Sequence, residues 1–151
     1  MKLKEKQINR YSRQIILKKI GPNGQKKILN SSVLVVGAGG LGSPIAIYLA
    51  ALGVGKIGIV DKDKVEISNL SRQIIFDTSD IGKKKSIVAV NKLKKINPDI
   101  KLKSFHENLT TMNINKIAKE YDLIIDGSDN FRTRFLINDY CFKKNKILVS
   151  G

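Results

Sequence analysis

The order of apolar and polar residues along the chain predicts strands and helices in alternation. Short apolar runs predict buried strands, whereas longer segments with apolar residues every three or four positions predict helices. Strands are predicted at 33–36, 56–60, 100–105, 123–126 and 147–149. Helices are predicted at 3–19, 25–30, 40–52, 81–96, 113–119 and 130–143, with a turn at 20–25 and a loop or short helical turn at 61–76.

This alternation is typical of an α/β protein with a parallel, doubly wound sheet, because parallel strands are joined by crossover helices. The expected strand order is 3-2-1-4-5, with ligands bound at the carboxyl ends of the strands. We therefore predict a Rossmann-like fold in which residues 1–30 form an N-terminal helical segment and residues 31–151 form the nucleotide-binding domain.

A glycine-rich turn separates the first strand from the following helix. Gly37, Gly39 and Gly42 match the dinucleotide fingerprint, in which glycines permit a tight turn, close phosphate approach and close helix packing. Asp61 ends the second strand, near the spacing of about 20 residues expected for an acid that binds a ribose. Asp63 follows it. The ordinary alternatives are a plain strand–helix turn and a loop-capping aspartate, and the spacing does not distinguish NAD from ATP.

The amino-acid composition and the charge exclude several classes of protein. The chain has 151 residues, 42% of them hydrophobic, which is enough for one folded domain. Its single cysteine excludes an internal disulfide framework, and zinc is not expected. The N-terminus is polar and no apolar run has membrane-spanning length, so we expect a cytoplasmic protein without a membrane partner. The net charge of +15 favours phosphates or an acidic partner, but aromatic residues make up only 6%, so nucleic acid is not expected.

Three further motifs distinguish the possible nucleotides. The stretches "SNLSRQ", "IGKKKS" and "DGSDN" should meet at the carboxyl edge of the sheet. They bring Arg72, Lys85 and Asp129 together, which suits a triphosphate with Mg²⁺ better than NAD. Each residue has an ordinary alternative as a surface arginine, a helix-start lysine or a helix-capping aspartate. The chain has no G-x-x-x-x-G-K-[ST] motif, which argues against a P-loop ATPase.

Together these motifs resemble those of the ThiF/MoeB/HesA family, the ubiquitin-activating-enzyme-like adenylyltransferases. The resemblance covers the chain from Arg10 to Gly151. The matching stretches are "RYSRQI", "VGAGGLGSP", "GVGKIGIVDKDKVEISNLSRQIIF", "DIGKKKS", "INPDI" and "DGSDNFRTRFLIND". The resemblance implies an enzyme that uses ATP and Mg²⁺ to adenylate the C-terminal glycine carboxylate of a small ubiquitin-like sulfur-carrier protein. Pyrophosphate is the other product. The carrier protein would be of the type used in thiamin or molybdopterin biosynthesis.

The resemblance also assigns residues to these roles. Catalytic roles fall to Arg13, Arg72, Lys85 and Asp129. Asp129 would bind Mg²⁺, and Arg13 would reach the γ-phosphate from the other subunit of a homodimer. The nucleotide-binding residues are Gly37, Gly39, Gly40, Gly42, Asp61, Asp63, Ser68, Asn69, Leu70, Arg72, Lys85, Asp129 and Asn130.

Family members have a further C-terminal part, so this chain is expected to be the N-terminal ATP-binding part. It is a fragment, a natural truncation or a degraded gene product, with an apolar sheet edge left exposed. Two alternatives to an active adenylyltransferase remain: a truncated, non-catalytic nucleotide-binding remnant and an NAD-binding oxidoreductase domain. His106 has no assigned role, and Cys141 is expected to be a packing residue.

Overall fold

The computed structural model describes residues 3–151. In chain order the elements are α1 (Glu5–Arg10), α2 (Ser12–Ile15), α3 (Gly21–Asn30), β1 (Ser32–Val36), α4 (Gly42–Leu52), β2 (Lys56–Val60), α5 (Lys85–Ile96), β3 (Lys101–Phe105), α6 (Ile114–Ala118), β4 (Leu123–Asp126), α7 (Phe131–Lys144) and β5 (Ile147–Ser150). Two short 3₁₀ helices lie between β2 and α5, at Ile67–Asn69 and Thr78–Asp80.

The strands form one sheet with the order β3-β2-β1-β4-β5, and the strand pairs are parallel. This confirms the predicted Rossmann-like α/β fold and strand order. The central strand β1 pairs with β2 on one side and with β4 on the other, where Val33 lies opposite Ile57 and Leu123. Connections run in opposite directions from β1, so the carboxyl end of β1 lies at the switch point where such sheets bind ligands.

Helices cover both faces of the sheet because successive side chains of each strand point to opposite sides. Val33 and Val35 of β1 pack into a cluster with residues of α4 and α5. Leu34 and Val36 pack into a second cluster with residues of α6 and α7, which includes the buried Cys141. The apolar runs in the strands are continuous because both faces are buried. Cys141 is a packing residue, as predicted, and burial raises the pKa of its thiol.

Three elements have a boundary more than two residues from the predicted one. The turn predicted at 20–25 is the start of α3, since Pro22 lies in the first helical turn, where a missing N–H group costs no hydrogen bond. The helix predicted over 3–19 is two short helices separated at Tyr11, whose side chain is buried. The helix predicted from residue 81 begins at Lys85, because the preceding residues hydrogen-bond with Val65 in the loop after β2.

The β5 edge of the sheet is apolar. Strand β5 pairs with β4 alone in the described part of the chain, and its Ile147 and Val149 are 63% and 48% exposed. The neighbouring helix α7 also carries exposed aromatic residues, among them Phe131 and Phe135, whose rings stack. Exposed apolar edge strands favour association with other chains.

Candidate functional site

A cavity of about 650 Å³ opens at the carboxyl edge of the sheet, at the switch point between β1 and β4. This volume lies in the range of small-molecule and cofactor sites. The lining residues are Val36, Gly37, Gly39, Gly40, Leu41, Val60, Asp61, Lys62, Asp63, Arg72, Gln73, Lys85, Glu107, Asn108, Leu109, Gly127, Ser128, Asp129, Asn130, Thr133 and Arg134. They come from the loops that follow β1, β2, β3 and β4 and from the starts of α5 and α7.

The glycine turn is tight because its backbone makes two close approaches. Gly37 has a φ of +89°, and a Cβ there would lie 2.7 Å from the carbonyl oxygen of Gly127. A Cβ on Gly42 would lie 1.8 Å from the carbonyl oxygen of Gly37. Both positions therefore require glycine. Gly42 is buried and packs α4 against the turn, whereas Gly39 and Gly40 face the cavity.

Asp61 joins the end of β2 to the glycine turn. Its carboxylate oxygens accept hydrogen bonds from the backbone N–H of Ala38 and of Asp63, each at 2.8 Å. It therefore caps the loop, as the ordinary alternative predicts, and it also lines the cavity, while ribose binding by this residue stays a prediction. Burial raises the pKa of Asp61, while the two N–H donors and the charge of Lys85 oppose that rise. Each carboxylate oxygen has a further lone pair for a ligand hydroxyl.

Lys85 is a buried lysine at the first position of α5. Its ammonium group lies 3.8 Å from a carboxylate oxygen of Asp63, and its backbone N–H donates to the carbonyl of Asp63 at 2.9 Å. The side chain is only 8% exposed, yet it lines the cavity. Burial of a cation costs free energy unless a negative charge lies beside it. An ammonium group at this position is therefore suited to neutralise the charge of a phosphate in the cavity.

Arg72 reaches the glycine turn from the loop after β2. Its aliphatic stem lies about 3.6 Å from where a Cβ of Gly40 would stand, and its guanidinium donates to the carbonyl of Ser68 at 3.1 Å. Asn69 is buried instead, and its side-chain oxygen accepts from the backbone N–H of Glu66. Ser68, Asn69 and Leu70 support this loop without lining the cavity.

The "DGSDN" loop is held by a buried carboxylate. Asp126 accepts hydrogen bonds from the backbone N–H and the hydroxyl of Ser128, and the guanidinium of Arg134 lies 3.4 Å from its other oxygen. Asn130 caps α7, since its side-chain oxygen accepts from the N–H of Thr133. The alternative of Asp129 as the helix cap is therefore wrong. The exposed carboxylate of Asp129 faces the cavity.

Most of the predicted site residues meet at this cavity. Gly37, Gly39, Gly40, Asp61, Asp63, Arg72, Lys85, Asp129 and Asn130 line it. Arg13 is exposed on α2 and does not line the cavity of its own chain. The cavity is also lined by residues that were not predicted individually from the sequence, namely Gln73, Lys62, Arg134 and the segment 107–109. That segment directly follows β3, so the carboxyl-edge rule that found the other loops would have found it too.

The side chains around the cavity can be compared with the ligands that Mg²⁺ usually has in proteins. Within residues 3–151, no group of three or more His, Cys, Asp or Glu side chains is arranged to hold a metal ion. Mg²⁺ is usually held by one or two carboxylates together with phosphates and water, so a single exposed carboxylate such as Asp129 fits it when a triphosphate is present.

No helix within residues 3–151 has the length and apolar character needed to cross a membrane.

Comparison with known proteins finds relatives that are similar over nearly all of this chain. The chain is 45% identical over 151 residues to the sulfur carrier protein adenylyltransferase of Thermus thermophilus, covering all of this chain and 56% of that protein. It is 50% identical over 142 residues to a probable molybdopterin-synthase adenylyltransferase of Porphyra purpurea, covering 94% of this chain and 37% of that protein. The chain thus spans about half or less of these relatives' length.

Solved structures share the fold. The structure of E. coli tRNA N6-threonylcarbamoyladenosine dehydratase, TcdA, in complex with ATP matches with a TM-score of 0.89 and 25% sequence identity. That match covers 99% of this chain and 61% of the TcdA chain. The model of the ThiF family matches residues 11–151. The glycine turn, the acid after β2 and the charged loops at one sheet edge thus occur together in a chain that belongs to the ThiF family.

Proposed function

We propose that this chain binds ATP·Mg²⁺ in the cavity and activates the C-terminal glycine carboxylate of a ubiquitin-like sulfur-carrier protein as an acyl-adenylate. The observation that carries the proposal is the convergence of Arg72, Lys85 and Asp129 on the glycine turn. Relatives named as adenylyltransferases of sulfur-carrier and molybdopterin-synthase proteins support the substrate class. A cytoplasmic location remains a prediction.

The residues on each side of the cavity have different roles in ATP binding. The N–H groups and small size of Gly39 and Gly40 permit close approach of the phosphates. Asp61 accepts hydrogen bonds from the ribose hydroxyls. Arg72 and Lys85 neutralise phosphate charge, and Asp129 holds Mg²⁺, which supplies further charge neutralisation when bound. This combination of two cations and a free carboxylate is not needed by NAD.

The reaction requires no general base. The carrier's terminal carboxylate is already ionised at neutral pH. One of its oxygens attacks the α-phosphorus, a new P–O bond forms, and the bond to the pyrophosphate oxygen breaks. Pyrophosphate carries away the electron pair, so no proton is moved. Catalysis is then alignment of the two reactants together with electrostatic stabilisation, in which Lys85 offsets charge that develops at the α-phosphate.

We further propose a homodimer in which Arg13 acts on the partner's site, because Arg13 is exposed and does not line its own cavity. Mixing Arg13→Ala chains with Asp129→Ala chains tests this arrangement. If Arg13 acts across the interface, the mixture regains part of the ATP-dependent carrier adenylation that each variant alone has lost. Activity that is not restored by mixing contradicts the assignment of Arg13.

The nucleotide site is tested by calorimetric titration of the purified chain with ATP·Mg²⁺ and, separately, with NADH. Arg72→Ala and Asp129→Ala should each weaken ATP·Mg²⁺ binding about tenfold or more, since each removes a charge-assisted contact. Arg132→Ala and Asp139→Ala are matched controls, because both residues are exposed on α7 and do not line the cavity. Their affinities should equal that of the wild-type chain.

Other outcomes would support the other functions. Tight NADH binding without ATP binding would favour an oxidoreductase domain. ATP binding without adenylation of any tested carrier would favour a non-catalytic nucleotide-binding remnant. Loss of ATP affinity in the Arg132 and Asp139 controls as well would show that the effect is not specific to the cavity.

A tRNA-modifying enzyme is the second candidate function. Its support is the fold shared with the E. coli tRNA dehydratase, together with a net charge of +15 that would attract a nucleic acid. The identity of 45% to a sulfur-carrier adenylyltransferase, against 25% to the dehydratase, places it second. Binding of tRNA that weakens steeply with salt, with no carrier adenylation, would reverse this order.

A further inference from the structure

Gln73 is a buried polar residue at the cavity wall, and its side-chain oxygen has no hydrogen-bond partner. Among the described residues, five buried side-chain atoms have no hydrogen-bond partner, namely Gln14 Oε1, Gln25 Oε1, Gln73 Oε1, Ser86 Oγ and Tyr121 OH. Of these residues, Gln73 lines the cavity. Its side chain is only 4% exposed. Buried polar atoms are nearly always hydrogen-bonded, so an amide oxygen without a partner is unusual. The side-chain nitrogen of Gln73 is not among these buried unpartnered atoms and donates to no other residue within 3–151, so this N–H is left for a ligand in the cavity.

The backbone around Gln73 holds the amide in place. Its N–H donates to the carbonyl of Asn69 at 2.9 Å, and its carbonyl accepts from the N–H of Phe76 at 3.1 Å. The side-chain nitrogen lies 3.8 Å from where a Cβ of Gly39 would stand. Arg72 and Gln73, which are adjacent in sequence, thus lie over adjacent glycines of the phosphate-binding turn, Arg72 over Gly40 and Gln73 over Gly39.

We infer that Gln73 is a nucleotide-binding residue whose side-chain N–H donates a hydrogen bond to a phosphate oxygen lying over Gly39. This inference rests on the proposed ATP site and adds a neutral donor to the cations Arg72 and Lys85. An uncharged amide fits this position because it is almost fully shielded from water, where another cation would be costly. The absence of a Cβ at Gly39 leaves room for the phosphate beside the amide.

The test compares ATP·Mg²⁺ with adenosine, which has no phosphate, by titration calorimetry. Gln73→Met keeps the length of the side chain but removes its hydrogen-bonding groups. It should weaken ATP·Mg²⁺ binding about tenfold, the usual effect of losing one hydrogen bond to a charged group, and leave adenosine binding unchanged. Gln73→Glu should weaken ATP·Mg²⁺ binding further, because it places a carboxylate against the phosphates.

Gln25→Met is the matched control. Gln25 is also fully buried with an unpartnered Oε1, but its side-chain nitrogen donates to the carbonyl of Leu52, away from the cavity. This variant should lower the midpoint of thermal unfolding while ATP·Mg²⁺ affinity stays at the wild-type value. It therefore separates an effect of lost stability from an effect of a lost ligand contact.

Three results would overturn the inference. They are wild-type ATP·Mg²⁺ affinity in both Gln73 variants, an equal loss of ATP and adenosine binding, and a similar loss of ATP affinity in Gln25→Met. If the wild-type chain binds ATP·Mg²⁺ in these cases, the proposed function stands without a role for Gln73. A well-folded wild-type chain that binds no ATP overturns both proposals together.

Discussion

The contact between Tyr11 and Asn97 should hold the N-terminal helices against the rest of the domain. Asn97 ends α5 and is fully buried, and its side-chain nitrogen donates to the hydroxyl of Tyr11 at 2.9 Å and to the carbonyl of Ala50 at 2.8 Å. The ring of Tyr11 packs on Gly53, where a Cβ would lie 2.5 Å from it. This contact therefore joins α1 and α2 to the ends of α4 and α5.

The cost of breaking the contact follows from the number of groups left unpaired. Tyr11→Phe leaves one buried N–H of Asn97 without an acceptor, so we expect a loss of about 1–2 kcal/mol in the free energy of unfolding. Asn97→Ala removes both of these hydrogen bonds and a third, which its side-chain oxygen accepts from the N–H of Asp99 at 3.3 Å. It also leaves a small cavity, so we expect a loss of about 2–4 kcal/mol. Because the two residues share a bond, the double variant should lose about 1 kcal/mol less than the sum.

Urea unfolding of the wild-type chain and its variants measures these losses directly, provided that the slope of the unfolding free energy against urea concentration is the same in each protein. Tyr48→Phe is the control, because Tyr48 is 69% exposed and its change should stay within about 0.5 kcal/mol. The reasoning is refuted if Tyr11→Phe costs no more than Tyr48→Phe, or if the losses at the two sites add without coupling.

Two further predictions concern the glycine turn and the acid stability of the fold. Gly42→Ala should destabilise the chain by about 3 kcal/mol or more, because its Cβ would meet the carbonyl of Gly37, whereas Gly39→Ala, with only an ordinary contact at 3.8 Å, should leave thermal stability nearly unchanged. A hydrogen bond from Lys92 lowers the pKa of Asp77 to about 2 from its ordinary value of 3.8. Because the folded pKa is the lower one, this pair contributes stability above the ordinary pKa that is lost as the pH falls towards 2. In Lys92→Gln, the midpoint of thermal unfolding should therefore change less between pH 4 and pH 2 than it does in the wild-type chain. An equal change in the two proteins would contradict this prediction.

The strand order could be predicted from the sequence because it depends on local patterns. Apolar runs alternating with helical periodicity leave few arrangements once crossovers must be right-handed. The start of α5 could not be predicted in the same way. Residues 81–84 continue the polar and apolar pattern towards the helix, but Gly82 takes a φ of +82° and the segment hydrogen-bonds with Val65. Such long-range backbone bonds are not visible in periodicity.

The site could be predicted as a set of loops more readily than as individual contacts. The carboxyl-edge rule found Arg72 and Asp129 because each follows a strand in the parallel sheet. It brought the stretch that contains Gln73 to the same edge but did not distinguish that residue, whose significance is its burial and the missing partner of its side-chain oxygen, both of which depend on the packed structure. It also could not decide whether Asp129 or Asn130 caps α7, since adjacent Asp and Asn residues are both good caps.

The identity of that cap bears on how the site works. Asn130 satisfies the helix N-terminus, so the carboxylate of Asp129 is left for a ligand. Asp126 orders the same loop from below through Ser128, and Asp61 is fixed by the N–H of Ala38. The cavity walls therefore have their positions set by bonds between residues of this one chain. In the proposed reaction, binding energy that would otherwise be spent on ordering these loops is then available for aligning the α-phosphate with the carboxylate of the carrier.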